Sequence, residues 1–150
     1  MPIYSIPLTD EQILKKVSDG KKIFIIGCSA CANISCNIYR GKKEPAFNFF
    51  SGPVSMIKEI SRIKTLISEN NNQVNSMTIM GLCSYSERKG KKIINKMCDA
   101  DTVIVMSCTG GLNTILSIVK DRTVIHGMRV KGFKSIQSKR KGINLSGLIG

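Results

Sequence analysis

The stretch KIFIIGC, Lys22–Cys28, is an unbroken apolar run rich in isoleucine. A run without polar alternation predicts a strand buried on both faces, the situation of an inner strand in a parallel sheet. Three further runs follow it: SMTIMGLC at Ser76–Cys83, TVIVMSC at Thr102–Cys108 and RTVIHGM at Arg122–Met128. Helical patterns lie between them. Gly52–Asn70 repeats Val54, Ile57, Ile60, Ile63 and Leu66/Ile67 at helical spacing, with Pro53 in the first turn. Ser86–Ala100 places Ile93, Ile94, Met97 and Cys98 on one expected apolar face, and Thr109–Lys120 opens on Thr109 as a candidate cap. Strands alternating with helices imply right-handed crossovers and a parallel sheet. The predicted fold class is therefore α/β, a small three-layer sandwich with a four-stranded, mainly parallel sheet of order 2-1-3-4.

Upstream, Thr9–Gly20 reads as a short helix, with Thr9 and Gln12 spaced as a capping box and Gly20 as its stop. Ser29–Ser51, with Gly41 and Pro45, reads as a long irregular connection, a length that suggests function. The 150 residues suit one core, expected over 1–128, followed by a basic tail over 129–150. No apolar run approaches the ~20 residues of a membrane span. The start, MPIYSIPLTD, has neither the basic nor the apolar part of a signal peptide, so a cytosolic protein is expected. There thiols stay reduced, and six cysteines point to metal or redox chemistry rather than to disulfides.

Charge narrows the partners. Lys and Arg number 23 against 10 Asp and Glu, a net +13. From Arg122 to Gly150 there are seven basic residues and no acidic one. Such a field attracts nucleic acid, an anionic ligand or an acidic protein; the plain alternative is a solvated tail. The absence of Trp and an aromatic content of 5% argue against a stacking platform for single strands.

Three expected strand ends carry cysteine: Cys28, Cys83 and Cys108. In a parallel sheet these ends share the carboxyl edge, where open α/β folds bind ligands. Cys31 and Cys36 follow Cys28 in a C-x2-C-x4-C spacing, so five thiols are expected at that edge as metal ligands. The alternative is that strand-end cysteines are small buried hydrophobes. Adjacent strands lie ~4.8 Å apart, which favours a cluster over one zinc ion without excluding zinc. Cys98 is expected in the core. Thr109, Gly110 and Gly111 open a helix, where backbone N–H groups suit an anion or cluster sulfur. His126 reads more readily as a packed residue than as a ligand. No nucleophilic triad or carboxylate pair can be assembled, and no catalytic residue is expected.

Three stretches together, KKIFIIGCSACANISC, GLC and DADTVIVMSCTGG, resemble the iron–sulfur- and zinc-associated partner subunit, or C-terminal domain, of bacterial methylenetetrahydrofolate reductases. The resemblance runs from about Lys21 to Val124. It implies a Rossmann-like cysteine domain beside a flavin-dependent barrel enzyme, with Cys28, Cys31, Cys36, Cys83 and Cys108 as metal ligands. The family continues into a second cysteine cluster; here the tail GFKSIQSKRKGINLSGLIG has no cysteine, so one site is expected. The expected function is an accessory, non-catalytic iron–sulfur subunit of an anaerobic folate redox enzyme, most simply with a 4Fe-4S cluster. Its basic tail would dock the flavin-dependent reductase subunit or an acidic ferredoxin. The alternative is a zinc-binding structural or regulatory domain with a nucleic-acid-binding tail.

Overall fold

The computed structural model describes residues 3–17, 22–41, 45–48, 52–69 and 73–133. Its centre is β2 (Lys22–Cys28), paired in parallel with β5 (Gln73–Ile79) on one side and β6 (Thr102–Met106) on the other. Beyond β6 lies β7 (Thr123–His126), also parallel. The order β5-β2-β6-β7 is the 2-1-3-4 arrangement expected from the sequence. Phe24, Ile25 and Ile26 on β2 and Val103, Ile104 and Val105 on β6 are fully buried, which is why both strands read as unbroken apolar runs.

Helix α2 (Cys31–Tyr39) and helix α3 (Val54–Ser68) fill the connection from β2 to β5. Helix α4 (Glu87–Met97) joins β5 to β6, and α5 (Thr109–Ile118) joins β6 to β7. The first crossover runs opposite to the other two, so right-handed connections put α2 and α3 on one face and α4 and α5 on the other. α3 packs on β2 and β5, α4 on β5 and α5 on β6. The reversal falls between β2 and β6, and their carboxyl ends flank the switch point where open sheets take ligands.

A second, antiparallel pair lies outside this sheet. β1 (Ile3–Pro7) pairs with β8 (Met128–Phe133), so the first five residues of the expected tail, from Arg129, belong to a strand. β7 and β8 are separated by Gly127, where a Cβ would come 2.9 Å from Ile104 Cγ2. Gly127 itself donates its N–H to Val105 and accepts from Leu8 N–H, tying the two sheets together. The ladder is irregular between Tyr4 and Ser5, and Ser5 N–H is taken by Ser35 Oγ on α2 at 3.1 Å. α1 (Asp10–Lys16) carries the capping box between Thr9 and Gln12 that the sequence predicted. A small pair, β3 (Phe47–Asn48) with β4 (Gly52–Pro53), precedes α3. Residues 134–150, with Lys139, Arg140 and Lys141 of the basic tail, lie outside the described residues. No helix among the described residues is long and apolar enough to cross a membrane.

The stretch expected to be irregular is thus partly helical. The buried amides of α2 are placed against partners. Asn33 Oδ1 accepts from Met56 N–H at 2.8 Å and its Nδ2 donates to Ala46 O at 3.0 Å. Asn37 Nδ2 donates to Ser55 Oγ at 3.3 Å. On α3 the carboxylate of Glu59 is 4% exposed and sits between two guanidinium groups, Arg40 at 3.3 Å and Arg62 at 3.1 Å. Arg62 also bonds Asp10 and the Leu8 carbonyl, joining α3 to the start of α1.

Candidate functional site at the carboxyl edge

Cys28 ends β2 and is buried; Cys31 opens α2 three residues later and is half-buried. Cys83 is not at a strand end. β5 stops at Ile79, and the chain turns through Gly81, whose φ of +63° suits glycine, leaving Cys83 exposed in the turn. This turn is held by Lys89 of α4. Its ammonium donates to Gly81 O at 3.0 Å, Ser84 O at 3.2 Å and Ser84 Oγ at 3.0 Å. Cys108 lies two residues past β6 and is the N-cap of α5, so Cys108 rather than Thr109 occupies that position. It makes no side-chain capping bond, and no acidic residue stands in the first turn.

Two of these cysteines flank one glycine. A Cβ on Gly110 would lie 3.1 Å from Cys83 Cβ and 3.7 Å from Cys108 Sγ. Cys83 and Cys108, from two different strand-to-helix connections, therefore stand on the same side of Gly110. Gly111, one residue on, packs onto the end of β6: its Cβ would come 2.7 Å from Ser107 Cβ and 3.2 Å from Leu82 Cδ2. Ser107 Oγ donates to Cys108 O at 2.8 Å. The Ser107 carbonyl is 2.6 Å from His126 Nε2, and because a carbonyl only accepts, that nitrogen carries the proton. His126 thus pins the end of β6 and is engaged there through Nε2. We expect Gly111→Ala to cost about 1–3 kcal/mol by overpacking, against the helix preference for alanine. Chemical denaturation of the two proteins measures it; unchanged stability would mean that α5 shifts freely on the sheet.

Cys36 departs from the sequence expectation. Five residues from Cys31, it lies roughly 140° away around α2. It is fully buried, away from Cys31's side of the helix. Burial first, and the carboxylate of Glu59 second, push its thiol up to about 12, against the weaker opposing pull of Arg40 and Arg62. A thiol so reluctant to ionise is a poor ligand where it stands. Cys98 departs in the other direction. It was expected in the core, but α4 ends at Met97, and Cys98 adopts a φ of +52° that leaves it exposed, with its thiol 3.1 Å from Asn95 O. It lies beside Lys22 and Gln73, at the amino edge of the sheet. The seven residues of β2 put it ~20 Å from the carboxyl edge.

Among the described residues no three His, Cys, Asp or Glu side chains are grouped so as to hold a metal ion. Four cysteines, Cys28, Cys31, Cys83 and Cys108, belong to the edge that flanks the switch point, and Cys83 and Cys108 share Gly110 as a neighbour. As donors, four thiols suit a soft metal or an iron–sulfur cluster. The opening N–H groups of α5, including those of Gly110 and Gly111, have no partner within the helix and add donors for an anion or a sulfur atom. Sequence reasoning missed Lys89, for which the only signal was a lysine three residues past a serine cap. Comparison with protein-family models, curated proteins and solved structures finds no match to this chain.

Proposed function

We propose that the chain is an accessory iron–sulfur subunit of a cytoplasmic, folate-dependent one-carbon redox enzyme, with Cys28, Cys31, Cys83 and Cys108 as the ligands. The observation that carries the reading is the approach of Cys83 and Cys108 to the same side of Gly110 at the sheet's carboxyl edge. A 4Fe-4S cluster bound there would supply one-electron transfer. The protein's own part is to present thiolates from three connections, to donate backbone N–H groups from Thr109, Gly110 and Gly111, and to hold the Cys83 turn through Lys89. Cys36 is left out because it is fully buried, on a different side of α2 from Cys31. The partner in this reading is the flavin-dependent reductase subunit or an acidic ferredoxin.

Protein purified without oxygen should be brown, absorb broadly near ~400 nm and contain iron and sulfide. Cys83→Ser and Cys108→Ser should each lose most of the iron, whereas Cys98→Ala should keep it. Full iron content in both serine variants would remove the ligand set. Colourless protein with one zinc per chain would support instead the structural zinc domain.

A further inference from the structure

β5 is an edge strand: among the described residues it pairs only with β2. Ile79 O accepts from Ser29 N–H and so faces inward, and strand periodicity then turns the backbone groups of Val74, Ser76 and Thr78 outward. Ser76 agrees with this, because its N–H finds Asn75 Oδ1 at 2.9 Å in place of a neighbouring strand. The two flanks of this edge are open. On the α3 side a groove of about 230 Å³ runs past Ile57, Ile60, Lys64, Ser76 and Thr78. On the α4 side a second groove, about 490 Å³, runs past Met77, Lys92, Asn95 and Lys96. An added strand sends alternate side chains to opposite faces, so one strand would fill both grooves while its backbone pairs with Thr78.

The charge of the grooves selects the strand. Lys64, Lys92 and Lys96 line them; among the described residues none of the three takes part in an ion pair and no acidic residue lines either groove. A second copy of the chain would bring the same lysines against these, and the chain's own residues 134–150 are basic as well. We propose that the outer edge of β5 docks an extended acidic segment of a partner protein by strand addition. This inference uses none of the cysteines and stands or falls separately from the metal reading.

The probe is a labelled octapeptide of alternating Val and Glu, with a Val and Lys peptide of the same length as its control, titrated into the full chain and followed by fluorescence anisotropy. The acidic peptide should bind, more weakly as salt rises, and the basic one should not. Lys92→Glu with Lys96→Glu should weaken binding about ten-fold or more. Thr78→Pro removes an outward N–H and should abolish binding; if that variant misfolds by circular dichroism, the lysine variant decides alone. Absence of acidic-peptide binding, equal binding of the two peptides, or a dimer in sedimentation that Thr78→Pro dissolves would each overturn the proposal.

Discussion

Removing both guanidinium groups from Glu59, by Arg40→Ala with Arg62→Ala, is expected to destabilise the fold by about 3–5 kcal/mol. The reason is asymmetry of burial. Glu59 is 4% exposed, whereas Arg40 and Arg62 keep 31% and 33% of their side-chain surface in water. Deleting the carboxylate leaves two cations that can turn toward solvent. Deleting the cations leaves a carboxylate enclosed between α2 and α3 with no counter-charge. Glu59→Gln should therefore cost clearly less than the double variant, and each single arginine variant should fall between them because one partner remains. Urea denaturation of the four proteins tests the order. If Glu59→Gln is as damaging as the double variant, the carboxylate's own bonds matter more than its neutralisation.

The second large effect is alkaline. In the folded chain the Cys36 thiol is pushed from the ordinary 9.0 up to about 12, chiefly by burial and then by Glu59. The folded state thus holds a proton that the unfolded state releases. Stability from this group is intact below pH 9 and is lost as pH rises toward 12. The limiting slope is about 1.4 kcal/mol per pH unit, so the whole effect is of the order of a few kcal/mol. Lysines and tyrosines titrate in the same range, so the informative quantity is the difference from Cys36→Ala. That variant should start less stable, through lost packing, and fall less steeply above pH 9. Parallel curves for the two proteins would show that Cys36 ionises without resistance.

The central sheet was legible because its two inner strands are apolar on both faces, so neither burial nor strand type depended on distant context. α2 was not legible for the opposite reason. Its inner face holds Asn33, Ser35 and Asn37, whose burial is sustained by hydrogen bonds to β1, Ala46 and α3, none of which a periodicity of apolar residues can report. β1 was missed because five residues with a buried serine make sense only against β8. At the candidate site, the apolar character of Ile79 and Leu82 carried the expected strand past its true end, although Gly81 stood between them as a turn signal. Cys98 illustrates a limit of helical projection: the face it shares with Ile94 is exposed, while Ile93 and Met97 carry the packing.

The pairing of β1 with β8 also sets an order of events. These strands come from opposite ends of the described chain, so β1 has no ladder to join until Met128–Phe133 is in place beside it. The β2, β5 and β6 ladders close over shorter stretches and need none of those residues. Non-local pairings of this kind are slow steps, since chain entropy is lost before contacts are gained. The first strand of the protein is therefore among the last to fold. In a refolding experiment with pulsed hydrogen exchange, the amides of Ile6 and Arg129 gain protection after those of Ile25 and Ile104.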